Sequence, residues 1–313
     1  MAQEPEKPST KELARRLAAL EHDVARLHPG AAVGDAGGAG LDAEIHCGMP
    51  ERAPRAMEPT SSSEREELIR YPARNWGNET VLHYFFFDSG AWDGDDAQKD
   101  IVRDAFDVWR DVGIGLRFEE VTNIDQAEIR IGFLAGDGYW SYVGTDVLTI
   151  GQHERTMNFG NDLTQDSRGV DVPVHEIGHT LGFPHEHQNP LAGIVWDEPA
   201  VLARFGGPPN NWPADKVRHN ILRKIPRSDI EGSEWDPDSI MHYRFPAGLI
   251  TVPAQYQGQP LTPAPGLSPR DVAQALEFYP PAAPVHPPLV PYQSAQLNLS
   301  PGEQANFTIT PTA

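Results

Sequence analysis

Apolar residues first fall at helical spacing near the start of the chain. Leu13, Leu17, Leu20, Val24 and Leu27 repeat in alternating steps of four and three. Ser9 stands where a cap is needed, so the spacing predicts a helix over 9–27. It covers barely two heptads, which suits docking on the same chain better than pairing with a partner. Pro29 and a Gly/Ala-rich run to Gly40 read as a linker. Residues 41–74 lack periodicity and carry several Arg, Glu, Ser and Pro residues, as an exposed connecting segment does.

Regular patterning resumes at Trp76. Residues 80–87 read as a strand. Asp93 or Asp95 can cap the next helix, in which Ile101, Ala105, Val108 and Val112 share a face. Strands are expected at 115–121, 127–133 and 147–151, with room for an edge strand in 152–163, and then a helix over 169–181. This order predicts an α+β domain, a mixed sheet with helices packed on it. From residue 190 the chain is rich in Pro, Gly, Asn and Trp and shows few regular elements. Ser268 caps a last helix, 269–278, with Pro269 at its first position. Residues 280–291 form a Pro-rich linker, and 296–310 alternate as a partial β module or tail does. The expected organisation is 1–74 as an N-terminal helix and inhibitory prosegment, 75–280 as the catalytic domain and 281–313 as linker and tail.

Composition narrows the field. At 313 residues, with 39% hydrophobic and 22% charged, the chain suits one soluble globular domain with appendages. A net charge of −20 argues against nucleic acid or an anionic membrane as partner. One cysteine allows no intrachain disulfide. The opening, Met1 to Glu6, is polar and unlike a secretory signal, and no stretch has the apolar length of a membrane span. Three options follow: a leader already removed, another export route, or retention inside.

The chemistry concentrates in the run from His175 to His185, His-Glu-Ile-Gly-His-Thr-Leu-Gly-Phe-Pro-His. On a helix, positions i and i+4 share a face, so His175 and His179 can present two imidazoles to one metal. Glu176 sits beside the first, in reach of a metal-bound water. Gly182 can take a left-handed backbone and end the helix, letting the chain return with His185 as a third nitrogen. Three protein ligands plus water is the open geometry of a catalytic zinc. A bare H-E-x-x-H arises by chance at a level of a few per cent, and the fixed Gly182 and His185 lower that by roughly two to three orders of magnitude.

This run resembles the metzincin zinc proteases. Gly182-Phe183-Pro184-His185-Glu186 resembles the astacin branch, and Ser239-Ile240-Met241-His242-Tyr243 resembles its Met-turn with the tyrosine near the metal. Leu267 to Val272 is similar to the closing metzincin helix. The resemblance covers residues 76–279. It implies a two-subdomain protease: a twisted, mostly parallel sheet with two long helices above an irregular C-terminal subdomain, with the cleft between. It implies one catalytic Zn2+, Met241 as the floor beneath the ligands, and Tyr243 as a movable fifth ligand that stabilises the oxyanion. Glu186 would anchor the mature N-terminus, protein or peptide would be the substrate, and the protein would be secreted. Calcium and oligomeric state are left open. Two departures mark a divergent member. The two usual disulfides cannot form, and His187-Gln188-Asn189-Pro190-Leu191 replaces the usual Arg and Asp pattern.

The lone cysteine stands in His46-Cys47-Gly48-Met49-Pro50, which resembles the cysteine-switch peptide of matrixins. A thiolate there can take the open zinc position, so Cys47 is a ligand of a latent form only. Arg52, Arg55, Arg65, Arg70 and Arg74 offer cleavage points. In the expected reaction Glu176 is the general base and Tyr243 with zinc holds the oxyanion. Two rivals are a zinc-binding peptide-recognition module without turnover and a zinc amidase acting on cell-wall peptide. Asn78-Glu79-Thr80 is read as a chance sequon, Trp196, Trp212 and Trp235 as packing, and His153, His187 and His242 as spare histidines.

Overall fold

Burial alternates along Val81–Phe86, strand β1, where Leu82, Tyr84 and Phe86 point into the core. In the computed structural model, which describes residues 46–50, 72–231 and 234–281, β1 pairs in parallel with β2 (Arg117–Glu120) and β3 (Ile129–Gly132). β3 pairs in parallel with β5 (Met157–Phe159), and β4 (Tyr139–Ser141) closes the sheet antiparallel to β5. The order is β2-β1-β3-β5-β4. Every residue of β3 and β5 is buried, as in parallel strands covered on both faces. The expected helix over 9–27, the linker after it and the 296–310 tail lie outside the described residues. The chain divides into two compact units, Met1–Ala282 and Ala283–Ala313, and the described residues belong to the first.

Helix α1 (Asp96–Asp111) begins where Asp95 accepts from the Gln98 N–H at 2.9 Å. Its buried face is Val102, Ala105, Phe106 and Trp109. The predicted face was turned by one position, since Ile101 and Val108 are only partly buried. Two aromatic rings carry more area than two aliphatic chains and set the orientation.

Two strand expectations need correction. Residues 147–151 are not a strand: Gly144–Thr149 is a 3-10 turn. The buried Arg130 guanidinium donates to the carbonyls of Val147 and Ile150, so a side chain there does what a strand partner would. The strand within 152–163 is β5, which lies inside the sheet. The edge is β4, three residues long and too short to show a period.

Helix α2 (Asp171–Thr180) lies beneath the sheet beside α1. The lower half holds more regular structure than expected: β6 (Val195–Trp196), α3 (Glu198–Gly206), α4 (Ala214–Val217, continuing as a π turn over Arg218–Leu222) and β7 (Ile250–Val252), which pairs with β6. Helix α5 (Pro269–Phe278) closes the domain, with Ser268 and Asp271 forming a capping box. One core fills the space between the sheet, α1, α2 and α5. A second gathers Phe205, Trp212, Ile221, Tyr243, Phe245 and Leu261 in the lower half, and Cys47 and Met49 join it. The cleft runs between the two.

Candidate active site

α2 is buried almost all round, including Glu176 and His179. A Cβ at Gly178 would collide with the sulfur of Met241, so glycine lets Met241 lie against the helix. Gly182, at φ +100°, ends it. The last carbonyls are all satisfied. His179 O accepts from Gly182 N–H at 2.8 Å and Gly178 O from Phe183 N–H at 3.1 Å. Thr180 O accepts from the Trp76 indole at 2.8 Å, and Leu181 O from the Tyr279 hydroxyl at 2.6 Å. The chain then turns back, and Glu186 N–H donates to Met241 O at 3.0 Å. That bond ties the return segment carrying His185 to the turn that carries Met241.

The turn itself is held from α5. The Asp271 carboxylate accepts from Ser239 Oγ at 2.7 Å, Ile240 N–H at 2.8 Å and Ser268 N–H at 2.9 Å. Ile240 O is thereby fixed, and it lies 2.7 Å from His175 Nδ1. Phe183 O lies 2.7 Å from His179 Nδ1. Each carbonyl holds the proton on Nδ1 and frees Nε2 as a donor of electrons. Asp271 is a positioning residue that the motif reading did not single out. The capping pattern from Ser268 to Asp271 was its one signal.

The freed nitrogens converge. His175 Nε2 is buried with no hydrogen-bond partner. His179 Nε2 lies 3.1 Å from His185 Nε2 and 3.5 Å from Cys47 Sγ. One atom from each of Cys47, His175, His179 and His185 falls within 4.8 Å of the others. Zinc bonds of about 2.0–2.3 Å in a tetrahedron separate ligand atoms by roughly 3.3–3.7 Å, close to the 3.1 and 3.5 Å found here, so small shifts of these side chains suit the four atoms to one zinc ion. Burial lowers the pKa of His175 to about 4 and those of His179 and His185 well below the usual range, so all three are neutral and able to ligate.

Glu176 and Tyr243 flank this cluster. Cys47 Sγ donates to Glu176 Oε2 at 3.4 Å. Burial pushes the Glu176 carboxyl up to about 8. Burial and the Glu176 charge push the Cys47 thiol up. The Tyr243 ring packs edge-on to His185, with centroids 4.2 Å apart, and its hydroxyl donates to Cys47 O. His187 and His242 pack beside Tyr243 and Phe245 and bond the carbonyls of Asn220 and Tyr243, and His153 is surface-exposed. None of the three joins the metal cluster found among the described residues. No helix among those residues is long and apolar enough to cross a membrane.

Comparison with known proteins follows the same lines. The matrixin family, of peptidase type M10, matches residues 75–192. The solved structure of myroilysin superposes with a TM-score of 0.61 at 30% identity, over 68% of this chain and 98% of that one. Blastula protease 10 of Paracentrotus lividus is 30% identical over 59% of the chain and 28% of its own length. Karilysin of Tannerella forsythia is 29% identical over 38% of the chain and 28% of its own length. The chain thus spans under a third of the length of these curated relatives. The histidine cluster, the sheet and the match along nearly the whole of myroilysin agree: this chain belongs to the metzincin zinc endopeptidases and is astacin-like among them, with one catalytic Zn2+.

Proposed function

We propose that the protein hydrolyses internal peptide bonds of other proteins, and that the molecule described here is its latent form. The convergence of Cys47, His175, His179 and His185 carries this reading. His175, His179 and His185 would hold the zinc, and Cys47 lies where water and substrate would bind. Zinc, when bound, supplies a Lewis acid that polarises the scissile carbonyl and acidifies water. Glu176 takes the proton of the attacking water and passes it to the leaving amine. The Tyr243 hydroxyl, which now donates to Cys47 O, donates to the oxyanion during turnover.

The segment 46–50 lies in the cleft as a peptide would. Gly48 N–H donates to Tyr139 O on the edge strand β4 at 3.0 Å. Cleavage near Arg74 removes residues 1–74 and frees residues 75–280 as the active domain. Glu186 then anchors the new N-terminus: its Oε1 accepts from Asn189 and Asp236, while its buried Oε2 has no partner. Release from the cell accords with the family and with a net charge of −20.

The test is zinc content together with casein cleavage, before and after limited trypsin treatment. We expect one zinc per chain throughout and activity only after the first ~70 residues are removed. Cys47→Ala should be active without trypsin. A Cys47→Ala chain as silent as its parent would remove the latch. Bound zinc with no cleavage after trimming would remove the peptidase.

A further inference from the structure

His46 is buried to 3% exposure. Its ring stands edge-on to Phe205 at 4.9 Å and Tyr243 at 5.1 Å, and stacks against Phe245 at 6.3 Å between centroids. Its backbone N–H donates to Asn210 Oδ1 at 3.1 Å, and its Nε2–H donates to Arg244 O at 2.9 Å. Every wall of this cage belongs to the lower half. Phe205 sits on α3 and packs on Trp212, and Phe245 is bridged to Leu261. Both rings are fully buried in the second core. Phe205 and Phe245 are therefore anchored when segment 46–50 departs, since packed interiors relax only partly around a lost side chain.

We propose that the cage left by His46 is a substrate subsite that selects histidine, and after it phenylalanine, at one position within two residues of the scissile bond. The proposal rests on the latent-form reading, because it takes segment 46–50 as a stand-in for substrate. Three facts set the order of preference. The cage is flat-walled and aromatic, so it favours a planar ring. Its floor is a carbonyl, Arg244 O, only 2.9 Å from the ring nitrogen. An indole or phenol reaches well past that floor, and phenylalanine enters only with a small shift of its ring and leaves the carbonyl without a donor. Glutamate would bury a negative charge among three rings and against the Arg244 carbonyl, without a donor. Asn210 adds a mooring that any residue can use, since it binds backbone.

The experiment maps the cleavage sites of the trypsin-trimmed enzyme in a peptide library by mass spectrometry. We expect histidine enriched at least fivefold at one such position, phenylalanine less, and tryptophan and glutamate depleted. Phe205→Leu, checked for folding, should flatten that position while other preferences persist. An active enzyme with no histidine enrichment overturns the subsite and leaves the peptidase standing. A second measurement does not depend on turnover. A peptide of residues 44–50 with Cys47→Ser is titrated calorimetrically into the trimmed chain, beside its His46→Ala and His46→Trp analogues. Binding weakened at least tenfold by both replacements supports the subsite, and equal affinities overturn it.

Discussion

The halves above and below the cleft each bury an aromatic core, yet they are built differently. Above, strands and helices bury residues at regular intervals, as in β1 and α1, and backbone ladders satisfy the main chain. Below, side chains do much of that work. Gln188 donates to His219 O at 2.7 Å, Asn189 bridges Glu186 and Glu234, and Asp271 gathers three donors. The difference teaches where the site gets its accuracy. The upper half supplies the helix that bears His175, Glu176 and His179, but the ring of His175 is aimed by Ile240 O, on the turn where the chain returns from the lower half. Neither half holds the site alone.

Four expected outcomes test this division, the largest first. Glu176→Ala should lower peptide cleavage by the trimmed enzyme about 10³-fold, within the usual range for loss of a general base. Zinc content should stay at one per chain by elemental analysis. Retained turnover would take Glu176 out of its role and place the chemistry outside the upper helix. Phe106→Ala, in the upper core, should cost about 3–5 kcal/mol in urea unfolding. Its zinc affinity should change less than threefold, because Phe106 packs on Tyr84 and Phe118 rather than on the carbonyls that aim the ligands.

Asp271→Ala is the counterpart at the turn that carries Met241. It leaves Ser239, Ile240 and Ser268 without their acceptor and should cost about 2–3 kcal/mol. It should also weaken zinc binding at least tenfold in a chelator competition, since the aim of His175 is lost. Zinc affinity as insensitive as that of Phe106→Ala would break the contrast between the halves. The smallest effect is a pH effect at the rim. Burial works against the Asp166 charge, but the hydrogen bonds and charge of Arg168, with the Tyr139 hydroxyl, outweigh it and hold the carboxyl at about 2. This folded pKa lies below the unfolded one. The stabilisation is therefore present above about pH 4 and is lost as pH falls through about 2, with a size of about 2 kcal/mol. Asp166→Asn should be less stable than the parent by that amount at pH 7 in chelator, and the gap should close between pH 4 and 2. A gap independent of pH would assign the loss to packing.

Legibility follows the same division. β1, β3, α1, α2 and α5 could be read because their periods or caps are local, and Ser268 and Pro269 fixed where α5 starts. The face of α1 was misjudged because spacing alone does not weigh Phe106 and Trp109 against Ile101 and Val108. β4 was missed because three residues hold no period, and 147–151 was misread because Arg130 reaches it from another strand. In the lower half α3, α4 and the β6–β7 pair stayed hidden among Pro, Gly and Trp residues.

The sequence by itself determined the donor types and their order: the histidines and glutamate at helical spacing, the glycine that ends the helix, the turn carrying Met241 and Tyr243, and a single cysteine in a switch-like peptide. Those features depend on neighbours within a few residues, and a linear chain displays them. Tertiary structure alone decided which carbonyls fix the imidazoles, that Asp271 steadies the turn from 31 residues away, and that His46 fills an aromatic cage with Cys47 beside the histidines. Apart from Phe183 O, four residues from His179, these depend on atoms brought together across 31 to 198 residues of chain. No local spacing encodes such distances; only the packing of the two cores against one another sets them.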